Sequence, residues 1–98
     1  MLSDRTVVVT GGGHGIGEAV ATELGRYGAN VVVNDLGTSP TGEGSDPEPA
    51  ATTAEAVREA GGEALAHYGD AASMAYAEEL IADAHDTFGR VDGVANFA

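Results

Sequence analysis

The chain has 98 residues and carries 16 acidic against 4 basic side chains, a formal net charge of −12 at pH 7. Such a charge repels nucleic acids and anionic membranes, so we expect neither as a partner. The absence of cysteine excludes disulfides, thiol catalysis and cysteine-ligated zinc, and the length allows one domain at most.

The first predicted element is a strand that ends at a cluster of glycines. Residues 5–10 (RTVVVT) form a β-branched run without polar alternation, which is typical of a strand buried on both faces of a parallel sheet. Residues 16–27 then place apolar side chains at helical spacing. The residues that we expect to pack this helix on the sheet are Ile16, Ala19, Val20, Leu24 and Tyr27.

The glycines at 11–17 therefore lie between a buried strand and the start of a helix. There, free N–H groups and the helix dipole favour an anion, and residues without a Cβ let a pyrophosphate approach the backbone. A P-loop is excluded because Glu18 stands where its lysine should follow Gly17, and G-x-G-x-x-G fails at Ile16. The plainer alternative for this cluster is an empty tight turn.

The second predicted strand supplies an independent indication of a nucleotide site. Residues 30–35 (NVVVND) again have the composition of a buried strand, with Asp35 at the carboxyl end. A dinucleotide-binding half places an acidic residue about 20 positions after the glycines, where it accepts hydrogen bonds from the adenosine ribose. The alternative is that Asp35 only caps a turn or helix.

The remaining chain continues to alternate strands and helices. Residues 37–50 are rich in Gly, Ser and Pro and predict a flexible surface loop. We then expect a helix over 52–61, a strand over 63–68, a helix over 73–88 and a fourth strand over 91–98. The order β-α-β-α-β-α-β predicts an α/β fold with a doubly wound parallel sheet.

Several separated motifs resemble one family, the short-chain dehydrogenases/reductases, a Rossmann-fold group that uses NAD or NADP. T-G-x-x-x-G-x-G at residues 10–17 resembles its glycine motif, and Asp70 resembles its aspartate beside the adenine ring. F-G-R-V-D at 88–92 resembles the segment before the fourth strand. Asn96 and Ala98 resemble the start of the N-N-A-G signature, from which Phe97 departs.

The resemblance implies an oxidoreductase that moves hydride between a nicotinamide and a carbonyl or hydroxyl carbon. The cofactor-binding residues that it implies are Thr10, Gly11, His14, Gly15, Ile16, Gly17, Asp35, Asp70, Asn96 and Ala98. Asp70 has the alternative role of capping the following helix. N-D-L-G at 34–37 further resembles the branch with the hydroxyacyl-CoA dehydrogenase of peroxisomal multifunctional enzymes, which implies a 3-hydroxyacyl or 3-oxoacyl thioester as substrate.

The catalytic residues implied by the family do not occur in this chain. Family members have roughly 250 residues, and the resemblance places a serine and a Tyr-x-x-x-Lys pair, the proton-transfer group, after residue 98. The chain contains no lysine. We therefore expect residues 1–98 to be a partial, inactive cofactor-binding domain of a homo-oligomeric enzyme. The alternative is a non-catalytic nucleotide-binding module or a truncated product.

Asp35 also predicts which nicotinamide is used. Its carboxylate can accept hydrogen bonds from both ribose hydroxyls of NAD but repels the 2′-phosphate of NADP. No Arg or Lys lies near Asp35 in the sequence to offset that repulsion. We therefore expect NAD in preference to NADP.

Two further expectations concern metals and location. The three histidines, His14, His67 and His85, do not have metal-ligand spacing, so we expect no metal site. No apolar run approaches the roughly 20 residues that span a bilayer, and the chain does not begin with a basic and apolar leader. We therefore expect a cytoplasmic protein.

Overall fold

The structure, a computed structural model, describes residues 2–36 and 48–97. Its elements are β1 (Thr6–Thr10), α1 (Gly15–Arg26), β2 (Asn30–Asp35), α2 (Glu48–Ala60), β3 (Glu63–Tyr68), α3 (Met74–Phe88) and β4 (Gly93–Asn96). The four strands form one sheet in the order β3-β2-β1-β4, and every pair is parallel. The predicted α/β architecture is confirmed.

The valines of the two central strands form the core on both faces of the sheet. Val9, Val31 and Val33 pack with residues of α1 and α2, whereas Val8 and Val32 pack with Leu80 and Ala84 of α3. Successive side chains of a strand point to opposite faces. A strand between two helical layers is therefore apolar at nearly every position, which is why the runs in β1 and β2 lack polar alternation.

Helix α1 buries its small residues most fully, and the predicted packing face is wrong for Ile16 and Tyr27 but right for Leu24, which packs against the core. Its buried residues are Gly17, Ala21 and Gly25. Ile16 is 71% exposed and Tyr27 is 44% exposed. The reason is the close approach of α2: a Cβ on Gly25 would lie 2.9 Å from the carbonyl oxygen of Val57. Close helix–helix contact therefore determines which side of α1 is buried.

Helix α2 begins at Glu48, four residues before the predicted start at residue 52. Ala50, Ala54 and Val57 form a buried stripe against the sheet, so packing stabilises an additional first turn. Pro49 is compatible with that turn, where a backbone N–H has no partner within the helix. The expectation of a loop is therefore wrong for residues 48–50, and its remainder, 37–47, lies outside the described residues.

The predicted boundaries of α3 are close to those observed, whereas those of β4 are not. Helix α3 has Ser73 as its N-cap and ends at Gly89, which adopts a left-handed conformation. Its buried residues are Leu80 and Ala84, whereas Met74 at its start is 76% exposed. Strand β4 is shorter than predicted because its pairing with β1 covers only Gly93–Asn96.

Asp92 attaches β4 to β1 at the amino ends of the strands. Its Oδ2 accepts a hydrogen bond from the Thr6 N–H at 2.8 Å, and its carboxylate forms ion pairs with Arg90 and Arg5. The hydrogen bond from Arg90, together with that from the Thr6 N–H, lowers the pKa of Asp92 from 3.8 to about 2. This carboxylate therefore stabilises the folded state in its charged form.

Asp92→Asn is expected to reduce stability above pH 4 and to have less effect in acid. A carboxyl group whose pKa is lower in the folded state contributes stability above its unfolded value of 3.8, and that contribution is lost as the pH falls toward 2. Urea unfolding at pH 7, 4 and 3 measures the difference, with exposed Asp86→Asn as the control. A difference between wild type and Asp92→Asn that stays constant with pH would contradict this role.

Candidate functional site

A cleft of about 500 Å³ lies at the carboxyl ends of the strands. Its lining residues are Gly11, His14, Asn34, Asp35, Leu36, Gly69, Asp70, Ala71, Ala72, Asn96 and Phe97. These residues lie at the carboxyl ends of the four strands or just after them. The cleft includes the ends of the neighbouring strands β1 and β4, and the chain continues from β1 to β2 and β3 on one side and then to β4 on the other. Open α/β sheets bind their ligands at this switch point.

The glycine loop between β1 and α1 is folded tightly onto the start of the helix. Gly11 and Gly15 have φ values of +69° and +54°, which glycine adopts without strain. A Cβ on Gly17 would overlap the carbonyl oxygen of Gly11, so only glycine permits this approach. His14 is the N-cap of α1 without a side-chain hydrogen bond to the helix. The first-turn N–H groups therefore point out of the helix end beside the cleft, as an anion-binding site requires.

Asp35 joins the glycine loop to the end of β2. It is 7% exposed, and its Oδ2 accepts a hydrogen bond from the Gly13 N–H at 2.8 Å. His14 Nδ1 lies 3.6 Å from the same oxygen. A Cβ on Gly13 would come within 2.7 Å of that oxygen. The acidic residue and the glycines predicted to bind one cofactor are therefore in direct contact.

Asn34 is a central residue of the site that the sequence analysis did not identify. It is 1% exposed, its backbone carbonyl accepts a hydrogen bond from the Gly12 N–H at 2.7 Å, and its side chain donates to the Gly69 carbonyl at 3.2 Å. It thereby connects the glycine loop to the loop after β3. The available signal was a polar residue inside an otherwise apolar strand, since a buried amide needs partners.

Asp70 and Asn96 lie at opposite sides of the cleft. Asp70 Oδ1 accepts a hydrogen bond from the Ala72 N–H at 2.9 Å, which shapes the turn before α3. Ser73 and not Asp70 is the N-cap of α3, so the capping alternative for Asp70 is wrong. Asn96 Oδ1 accepts a hydrogen bond from Thr10 Oγ1 at 2.6 Å, which joins the ends of β1 and β4.

The fold brings the predicted site residues to one edge of the sheet. Gly11, His14, Asp35, Asp70 and Asn96 line the cleft itself. Thr10 supports Asn96, and Gly15–Gly17 form the adjoining first turn of α1, from which the Ile16 side chain extends into solvent. Ala98 lies outside the described residues.

Two further features of residues 2–36 and 48–97 concern metals and membranes. No group of three or more histidine and carboxylate side chains there is arranged to hold a metal ion. None of the helices in those two ranges has both the length and the apolar composition to cross a bilayer.

Comparison with known proteins identifies the family. The family model for short chain dehydrogenases matches residues 5–98. Peroxisomal multifunctional enzyme A of Dictyostelium discoideum is 45% identical over 97 residues, which cover 99% of this chain and 21% of that protein.

Two solved structures have the same fold. A short chain dehydrogenase from Mycobacterium avium matches with a TM-score of 0.86 at 39% identity, over 99% of this chain and 34% of that one. An NADH-dependent reductase solved in complex with NAD matches with a TM-score of 0.77 at 32% identity, over 97% of this chain and 36% of that one. The chain thus spans about a third or less of these relatives, and over that length it belongs to the short-chain dehydrogenase family.

Proposed function

We infer that this chain is the cofactor-binding part of an NAD-dependent short-chain dehydrogenase, and that residues 1–98 form a partial Rossmann domain. The observation that carries this proposal is the contact of Asp35 with Gly13 beside the first turn of α1, in a cleft at the switch point of the sheet. The likeness to a reductase solved with NAD supports a nicotinamide cofactor.

The residues present fit a dinucleotide at three points. The overlap that a Cβ on Gly17 would create shows that the glycine loop lies directly against the start of α1, where the first-turn N–H groups would bind the pyrophosphate. Asp35 would accept hydrogen bonds from the adenosine ribose, and Asp70 would lie beside the adenine. When bound, the nicotinamide supplies or accepts the hydride. The chain's own residues bind and orient the cofactor.

The substrate class is a 3-hydroxyacyl or 3-oxoacyl thioester in this proposal. Residues 34–37 (NDLG) and the 45% identity to a peroxisomal multifunctional enzyme support this assignment. Activity of the full-length protein with acyl-CoA, steroid and sugar substrates tests it. Turnover of only steroids or sugars would contradict the thioester assignment.

The second candidate is a non-catalytic nucleotide-binding module, because the predicted site residues that line the cleft are all assigned to cofactor binding and none to catalysis. Both candidates bind NAD, so hydride transfer by the full-length protein distinguishes them.

Homo-oligomerisation and a cytoplasmic location stay predictions. Light scattering would test the first, and a fluorescent fusion protein would test the second.

Residues 1–98 alone are expected to show no dehydrogenase turnover. The family's proton-transfer pair requires a lysine, and this chain has none. Purified residues 1–98 are assayed by NADH absorbance with substrates that the full-length protein turns over. Nicotinamide-dependent turnover by the purified 98-residue chain would contradict the assignment of catalysis to residues outside it.

The full-length enzyme is expected to prefer NAD to NADP by at least about tenfold in kcat/KM, because a like-charge contact costs on the order of 1.4 kcal/mol or more. Asp35→Ser should shift this ratio toward NADP.

Asp70→Ser is the matched control for this experiment, because it removes a carboxylate from the same cleft away from the ribose position. It should weaken both cofactors alike. Equal or better use of NADP by the unmutated enzyme would overturn the assignment of NAD. An unchanged ratio in Asp35→Ser would remove Asp35 as its cause.

Gly17→Ala is expected to weaken NAD binding by at least about tenfold, because the added Cβ overlaps the Gly11 carbonyl and forces the glycine loop away from α1. Isothermal titration of the full-length protein with NAD measures this. Gly93→Ala is the control, since a Cβ there meets no atom of residues 2–36 and 48–97 within 4 Å. Equal affinity in Gly17→Ala and Gly93→Ala would show that the close approach is not needed for binding.

A further inference from the structure

A chain of side-chain hydrogen bonds runs behind the cleft, from the end of β2 to α3. Asn34 Nδ2 lies 2.9 Å from the Tyr76 hydroxyl oxygen, and that oxygen lies 2.6 Å from His67 Nδ1. His67 Nε2 lies 2.7 Å from Asp83 Oδ2. We refer to Asn34, Tyr76, His67 and Asp83 as the relay. Only Asn34 among them lines the cleft.

The acceptors at the two ends of the relay indicate which atoms donate and which accept hydrogen bonds when the His67 ring is neutral. The Gly69 carbonyl can only accept, so Asn34 presents its amide nitrogen to Gly69 and to Tyr76. The Asp83 carboxylate also accepts, so His67 carries its proton on Nε2. In a neutral ring His67 Nδ1 is then an acceptor, and the Tyr76 hydroxyl donates to it. With this tautomer each hydrogen bond between the four side chains has one donor and one acceptor.

Tyr76 keeps its proton in this environment. Burial raises the pKa of its hydroxyl, and the carboxylates of Glu79 and Asp83 act in the same direction, whereas the hydrogen bond from Asn34 opposes them. The His67 ring packs edge-on against the Tyr76 ring, with centroids 5.2 Å apart. The hydroxyl is thus a fixed donor to His67 and a fixed acceptor for Asn34.

The relay supports one wall of the cleft from behind. That wall is residues 69–72, which follow β3. The Gly69 carbonyl accepts from Asn34, and the Tyr76 ring fills the space beside Gly69 that a Cβ would occupy. On the other side, the Gly69 N–H donates to the Asp35 carbonyl at 3.1 Å. The position of the wall relative to Asp35 therefore depends on this backbone hydrogen bond together with Asn34 and Tyr76.

We propose that Tyr76, held by His67 and Asp83, is a positioning residue for the adenosine end of the dinucleotide. The wall at 69–72 lies on the β3 side of Asp35, the ribose-binding carboxylate, whereas Asn96 and Phe97 lie on the opposite, β4 side. The relay therefore acts on adenosine affinity and leaves the nicotinamide end unaffected. This inference rests on the proposed function.

Titration calorimetry of the full-length protein with NAD, ADP-ribose and nicotinamide mononucleotide tests the relay. Tyr76→Phe retains the ring beside Gly69 and removes the hydroxyl. We expect the Kd for NAD and for ADP-ribose to rise about 5- to 10-fold, because the hydrogen bonds of the hydroxyl with Asn34 and His67 are both lost. The Kd for the mononucleotide should stay unchanged. Tyr27→Phe, which removes an exposed hydroxyl at the far end of the sheet, is the matched control.

Two substitutions at half-exposed Asp83 provide a test that does not alter the core. Asp83→Asn retains an acceptor for His67 and should keep ADP-ribose binding within about twofold of wild type. Asp83→Leu removes the acceptor and should raise the Kd for ADP-ribose, as Tyr76→Phe does.

The outcomes separate this inference from the proposed function. Wild-type protein that binds neither NAD nor ADP-ribose overturns both. Wild-type protein that binds both ligands, with an unchanged ADP-ribose Kd in Tyr76→Phe and Asp83→Leu, overturns the relay alone. An equal loss of mononucleotide and ADP-ribose binding in Tyr76→Phe also overturns it, because the effect is then general.

Discussion

The hydrogen bond from the Gly13 N–H to the Asp35 carboxylate holds the glycine loop at the end of β2. Its length of 2.8 Å and the burial of Asp35 make it a charge-assisted contact in a poorly solvated place, where such bonds are strong. The contact requires glycine at position 13 and brings the helix N-terminus and the acidic residue to one side of one cleft. The backbone proposed to bind phosphates and the side chain proposed to bind a ribose thereby belong to one site.

Asn34 gives this arrangement its second support. Its backbone carbonyl accepts from Gly12 and its side chain donates to Gly69, so one buried residue determines the spacing of two loops. Buried amides are stable only when their hydrogen bonds are satisfied, and here the partners are the cleft wall and Tyr76. Adjacent residues of β2 thus organise the two sides of the cleft, Asp35 the glycine loop and Asn34 the wall after β3.

The strands and the position of the cleft could be predicted because they depend on local sequence. Uninterrupted valines indicate a strand buried on both faces, and the spacing from the glycines to Asp35 follows from one β-α-β unit. The buried face of α1 could not be predicted, because it depends on the contact between Gly25 and Val57 of another helix. Asn34 was missed for the same reason: its partners Gly69 and Tyr76 lie 35 and 42 residues further along the chain.

A crystal structure of the full-length protein with NAD tests the central claim most directly, because it locates both the pyrophosphate and the ribose. We expect the pyrophosphate to lie at the N–H groups of the first turn of α1. We expect the adenosine ribose hydroxyls to lie within hydrogen-bond distance of the Asp35 carboxylate. Electron density for NAD elsewhere, or an adenosine ribose that does not contact Asp35, would contradict it.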